Sequence, residues 1–230
     1  MKGKIIVIEG TDCSGKETQS KLLVERLKAS GEKVATMSFP VYDSPTGKII
    51  GACLLGKPQM CEEYLKESHS FFPEGGGEVD SLTALLFYAA DRRYQLPTIK
   101  KYVEDGYTLI LDRYVPSNLA HRGGMLDTKE ERLKMYQKID TLEYELMELP
   151  RPDQVILLYM PYEYAYKLKQ NRKEKLDEAE KDENYLKRGE KAYLELTELY
   201  HYDIVNCVED NKIRTVKEIS DDVYRLVRKK

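Results

Sequence analysis

Long apolar runs are what this chain of 230 residues most plainly lacks. Its opening, MKGKIIVIEG, holds only the short run Ile5–Ile8 before Glu9. That is too little for a signal peptide or a membrane span, and no later segment comes closer. Cysteine and histidine are also scarce. Cys13, Cys53, Cys61 and Cys207 are scattered with no CxxC pair, and His69, His121 and His201 are equally dispersed. A disulfide framework and a structural zinc site are thereby disfavoured, and a reducing, cytoplasmic setting is the natural reading. There is no strong excess of either charge: 37 Lys and Arg stand against 40 Asp and Glu, a net charge of -3. Neither a nucleic-acid coat nor a disordered acidic tail has that balance, so no nucleic-acid or membrane partner is expected. Internal repeats and long Pro/Gly/Ser linkers are missing too. With 41% apolar residues, one core and one domain over 1–230 are expected.

What is present is an alternation of strand-type runs and helical patterns. Ile5–Ile8 reads as a strand and 16–29 as a helix with Leu22, Leu23 and Leu27 at helical spacing. Lys33–Ser38 is a second strand, 81–104 a long helix ending at Asp105-Gly106, and Tyr107–Leu111 a third strand. Residues 129–148 carry the periodic set Leu133, Tyr136, Ile139, Leu142 and Leu146, stopped by Pro150 and Pro152. A strand at Val155–Tyr159, helices at 162–173 and 184–200, a strand at Asp203–Cys207 and a helix at 215–229 complete the pattern. Strands separated by helices imply right-handed crossovers, hence an α/β fold with a mostly parallel five-stranded sheet covered on both faces. Residues 57–80, with the glycine run 75–77 near their end, read as an insertion.

The strongest motif is Gly10-Thr11-Asp12-Cys13-Ser14-Gly15-Lys16, directly after a strand and before a helix. This is G-x-x-x-x-G-K in its required context. Its glycines let successive backbone N–H groups curve around phosphates at a helix N-terminus, and the lysine reaches the outer phosphates. The next residue is Glu17, where a Ser or Thr normally offers its hydroxyl to magnesium; Thr18 stands one position late.

EGTDCSGKETQSKLL, Phe39-Pro40, LFYAADRR at 86–93, Asp112-Arg113-Tyr114 and Ser117-Asn118-Leu119-Ala120-His121 together resemble the thymidylate kinase family. The likeness spans nearly the whole chain and fails mainly over 57–80. It implies a three-layer P-loop kinase fold, ATP and dTMP as substrates, Mg2+ carried with ATP, and a homodimer. ATP would lie along Gly10, Thr11, Asp12, Cys13, Ser14, Gly15, Lys16, Glu17 and Thr18. An acid at Asp12, which an ordinary phosphate loop does not need, would face the acceptor sugar and nearby magnesium. The acceptor would meet Phe39, Tyr42, Arg113, Ser117, Asn118 at the ring nitrogen and His121 near the ribose. Val41 stands where Arg is common.

Tyr88 and Arg92, four residues apart, share one helical face. By the resemblance, the ring would stack on thymine while the guanidinium donates to a carbonyl. Phe87 is the competing stacker. Arg113 would clamp the transferring phosphoryl, and Asp112 with Asp12 would order magnesium-bound water while Glu17 turns away. A lid over 172–183 would supply Arg172, Lys173 and Lys175. Two alternatives stay open: a kinase of another nucleoside monophosphate or of a deoxynucleoside, with Glu9 or Asp12 as base, or a nucleotide-binding regulator with weak turnover.

Overall fold

The computed structural model describes residues 2–55, 57, 79–170 and 183–229. Five parallel strands form the central sheet in the order β2-β3-β1-β4-β5. They are β1 (Lys4–Gly10), β2 (Val34–Ser38), β3 (Thr108–Asp112), β4 (Gln154–Tyr159) and β5 (Asp203–Asn206). Around them run α1 (Lys16–Ala29), α2 (Pro45–Leu54), α3 (Ser81–Glu104), α4 (Val115–Asn118), α5 (Lys129–Asp140), α6 (Tyr162–Gln170), α7 (Glu183–Tyr200) and α8 (Val216–Lys229). A short hairpin, β6 (Val208–Glu209) with β7 (Lys212–Ile213), precedes α8. No described helix is long and apolar enough to cross a membrane.

The period of two along each strand divides the interior. Ile5, Val7, Leu109, Leu111, Val155 and Leu157 face one core, with residues of α3, α5 and α7. Ile6, Ile8, Ile110, Ile156 and Leu158 face the other, with Leu23, Val24 and Leu27 of α1 and Ile219, Val223 and Val227 of α8. Three layers follow directly, because a central parallel strand has no polar face to give to water. The same pattern explains why β1, β3 and β4 read as unbroken apolar runs.

Several helix ends are written in local side chains. Asp80 accepts from the amides of Leu82 and Thr83 and starts α3 at Ser81. Thr128 and Glu131 form a reciprocal capping box before α5, and Thr215 with Glu218 does the same before α8. Two helices, α2 and the short α4, were not anticipated. α2 begins at Ser44-Pro45, where the Ser44 hydroxyl accepts from Gly47 N at 2.9 Å. A capping serine followed by proline at the first helical position was the available signal.

The expected single helix over 129–148 is divided. α5 ends at Asp140 and a π-helical segment, Thr141–Leu146, takes over. Its wider turn breaks the 3.6-residue register, which is why Leu146 is 75% exposed although the periodic pattern marked it as core. Leu133 is also exposed. A second π-helical segment, Leu119–Gly123, follows α4. Apart from Lys57, Val79 and Asp80, the expected insertion lies outside the described residues. So does the expected lid, Arg172 included, except for Glu183 at the start of α7.

Candidate active site

β1 and β3 are neighbours in parallel register, with Ile8 opposite Asp112. The loop leaving β1 and the Asp112-Arg113 step leaving β3 therefore emerge side by side at the carboxyl end of the sheet, where ligands gather in open α/β folds.

The loop is held by its own sequence. Gly10 packs so closely that a Cβ there would meet Leu158 O at 2.7 Å and the Ser14 hydroxyl closer still. Gly15 adopts φ +81 with open space around it, so its requirement is conformational. Cys13 also takes a positive φ, 57°. The Thr11 hydroxyl donates to Met160 O at 2.7 Å and accepts from Met160 N at 3.1 Å, fastening the loop to the end of β4. Lys16 Nζ donates to Gly10 O and Thr11 O at 3.0 and 2.9 Å. Burial lowers the Lys16 pKa to about 8, assisted by Arg113 and opposed by Asp12, Asp112 and Glu9.

Arg113 has φ 65, with its amide on Ile8 O at 3.2 Å. Its guanidinium stands 4.0 Å from Asp12 Oδ1. Burial disfavours its charge, but Tyr193, Glu9, Asp12 and Asp112 outweigh burial and hold it protonated. Asp112 is 9% exposed, and burial raises its pKa against Lys16 and Arg113. Glu9 underlies this group. It is fully buried and accepts from Tyr114 N at 3.0 Å, the Ser117 hydroxyl at 2.9 Å and the Tyr193 hydroxyl at 3.0 Å. Burial raises its pKa, countered first by Arg113.

Lys16, Asp12, Asp112 and Arg113 thus come together. Other expected contacts are placed differently. The Glu17 carboxylate pairs with Lys21 on the exposed side of α1, and Thr18 is exposed. An i,i+4 partner and solvent draw both side chains away from the loop. Phe39, preceding a cis Pro40, is 4% exposed and packs on Tyr114 with ring centroids 5.9 Å apart. The Ser117 hydroxyl bonds Glu9. Tyr42 lies under Lys57, whose Nζ is 4.4 Å from its ring centre. Tyr88 is half-buried with the Arg122 guanidinium 5.7 Å from its ring centre, and Phe87 is also half-buried. His121 lies edge-on to Tyr193, with Nε2 3.5 Å from the hydroxyl. Burial lowers its pKa to about 3, assisted by Arg113, so the imidazole is neutral.

Arg92 is 2% exposed and joined to the fully buried Glu143 by a two-pronged ion pair, Nε to Oε2 and Nη2 to Oε1 at 2.7 Å. Asn118 Nδ2 reaches the same Oε1 at 2.8 Å. Sequence reading missed Glu143; its only trace is a carboxylate on the buried stripe of Tyr136 and Ile139. It also missed Tyr193 and Asp91. Asp91 accepts from Val41 N, the Ser44 hydroxyl and the Thr46 hydroxyl, shaping the turn before α2.

Metal coordination has a narrow basis. Among the described residues no cluster of three or more His, Cys, Asp or Glu side chains is placed to hold an ion. Asp12 and Asp112, both beside Lys16, are carboxylates that could meet a magnesium ion carrying its own waters and phosphate ligands.

A sheet of this order with a Lys-bearing phosphate loop beside an Asp-Arg strand end defines a P-loop kinase. The thymidylate kinase family profile matches residues 8–219, and the chain belongs to that family. Thymidylate kinase of Plasmodium falciparum is 30% identical over 228 residues, covering 99% of this chain and 91% of that one. The human enzyme is 31% identical over 159 residues, 69% of this chain and 62% of its own length. The solved thymidylate kinase of Candida albicans superposes with a TM-score of 0.72 at 22% identity, covering 99% of this chain and 92% of that one. At that identity the likeness speaks for the fold.

Proposed function

We propose that this chain transfers the terminal phosphate of ATP to dTMP, giving dTDP and ADP. The observation that carries the reading is the shared exit of β1 and β3, which sets Lys16 and Arg113 against Asp12 and Asp112 at the carboxyl end of the sheet. Phosphoryl transfer needs alignment and charge cancellation more than covalent help. A phosphate oxygen of dTMP bonds to the γ-phosphorus while the bond to the ADP oxygen breaks. The acceptor is already ionised, so no base is required. The loop amides and Lys16 orient ATP, and Arg113 neutralises charge on the group in transfer. Asp12 and Asp112 would hold bound magnesium through water, the ion supplying charge neutralisation between the phosphates. Tyr88, Arg92 and Asn118 would receive the base.

Glu9 bears on the deoxynucleoside-kinase alternative. A base for a nucleoside hydroxyl must be reachable, and Glu9 is sealed behind three donors. Glu17, standing where a magnesium-binding hydroxyl is usual, favours a regulator with weak turnover, but its carboxylate pairs with Lys21 on the exposed side of α1. The proposal extends to a single cytoplasmic kinase domain acting as a homodimer, as the resemblance implies. Coupled measurement of ADP formation tests it: rapid, dTMP-dependent turnover is expected. ATP consumption that does not respond to dTMP, or responds equally to unphosphorylated thymidine, would overturn it.

A further inference from the structure

Glu143 lies outside every motif of the site, yet it holds two of the residues assigned above to the base. Its Oε2 accepts from Arg92 Nε, and its Oε1 accepts from both Arg92 Nη2 and Asn118 Nδ2. The second amide hydrogen of Asn118 is directed to Leu85 O at 3.3 Å. A carbonyl and a carboxylate can only accept here, so these two neighbours fix which way the Asn118 amide faces. What remains on the held side chains is Arg92 Nη1, with the second hydrogen of Nη2, and Asn118 Oδ1. Neither Nη1 nor Oδ1 has a protein partner among the described residues, and neither is among the sealed polar atoms without one. Each therefore keeps a trace of solvent contact although its residue is almost fully buried. One is a donor and the other an acceptor.

We infer that Glu143 is a positioning residue that sets the base preference of the acceptor site, by fixing Arg92 to donate and Asn118 to accept. This rests on the proposed reading that these two residues meet the acceptor base. The edge they complement is a carbonyl beside a ring N–H, which thymine and uracil share. Cytosine offers an amino group and an unprotonated ring nitrogen instead, so donor faces donor and acceptor faces acceptor, and a buried site penalises such mismatches strongly. Glutamine at 143 would replace one acceptor with a donor. The Asn118 amide is then free to turn over, and the Arg92 fork loses one of its two anchors.

The test compares kcat/KM for dTMP, dUMP and dCMP in the wild type and in Glu143→Gln, together with KM for ATP. The wild type is expected to favour dTMP over dCMP. Glu143→Gln should lower that ratio at least tenfold, raise KM for dTMP, and leave the dTMP-to-dUMP ratio and KM for ATP within about twofold. A purely structural role would depress all three acceptors together. A folded Glu143→Gln enzyme with an unchanged dTMP-to-dCMP ratio would overturn the inference. Should that variant not fold, Arg92→Met/Glu143→Met removes both buried charges at once, a change that packed interiors tolerate. It should lose the dTMP preference, and retaining it would also overturn the inference. A wild type with no preference for dTMP over dCMP would instead contradict the proposed function, so the two failures are distinguishable.

Discussion

The two ends of the site are built on opposite plans. At the phosphate end, charge is carried by the half-buried Lys16 and Arg113 and the buried Asp112 on two backbone steps, Gly15-Lys16 and Asp112-Arg113, with glycine or positive-φ geometry holding each step open. At the end proposed to receive the base, charge is withdrawn: Arg92 and Glu143 are both essentially inaccessible and pair with one another. On the proposed reading, the contrast follows from the ligand each end would meet. Phosphate needs several donors and net positive field, and tolerates small displacements because that field is long-ranged. A base edge is read by hydrogen bonds, which demand that donor and acceptor stay put. A buried ion pair contributes little net stability but fixes geometry, and removing one partner typically costs about 3–5 kcal/mol.

If the phosphate end works through charge, Lys16→Ala is expected to show the largest effect on the reaction. The side chain is the loop's own cation, and turnover should fall by at least about a thousandfold. The fold should survive, as judged by circular dichroism and a urea transition. An active, folded variant would remove the basis for assigning the phosphates to this loop.

Arg113→Ala comes next. A single charge-stabilising contact is worth on the order of a hundredfold to a thousandfold in kcat. KM for ATP should move much less, since the guanidinium acts on the group in transfer. A variant altered only in KM for ATP would put Arg113 with the donor and blur the contrast between the two ends.

His121 lies near the boundary of the two ends and titrates the contrast. Its pKa falls from 6.5 to about 3 on folding, chiefly through burial with Arg113 assisting. A group whose folded pKa is depressed supplies stability above its unfolded value and loses it as pH falls. Between pH 6.5 and about 3 the unfolded chain binds the extra proton, so His121 should lower stability by on the order of 1 kcal/mol for each pH unit of acidification. Glu9, whose pKa is raised by burial, acts in the opposite sense. Comparing urea midpoints of the wild type and His121→Gln at pH 7 and pH 5 isolates the histidine. The variant should be less sensitive to acid, and parallel losses in both proteins would show that another group carries the dependence.

The smallest effect is expected of Glu17→Ser. The carboxylate is 75% exposed and bonded to Lys21, an i,i+4 pair. Such pairs contribute only about 0.3–0.5 kcal/mol. Stability should change by no more than that, and the magnesium dependence of turnover should stay within about twofold. A large loss of magnesium affinity would show that the carboxylate reaches the metal in the working enzyme.

Residues close in sequence, or placed at the ends of neighbouring strands, were legible from the chain alone. The phosphate loop is seven consecutive residues between a strand and a helix, and Asp112-Arg113 closes a strand. The alternating buried faces of β1, β3 and β4 follow from unbroken apolar runs, because such runs suit only strands covered on both sides. Helix caps at Asp80, Thr128 and Thr215 act within three residues. What only the tertiary structure decided is the pairing of charges across long stretches of chain. Glu143 meets Arg92 from 51 positions away and Asn118 from 25. Tyr193 meets Glu9 across 184. A buried carboxylate inside an apolar stripe has no local signature, because what makes its burial tolerable is a partner brought in by packing α3, α4 and the π-helical turn together. Local rules placed the phosphate loop; only the folded core determined how Arg92 and Asn118 are held by Glu143.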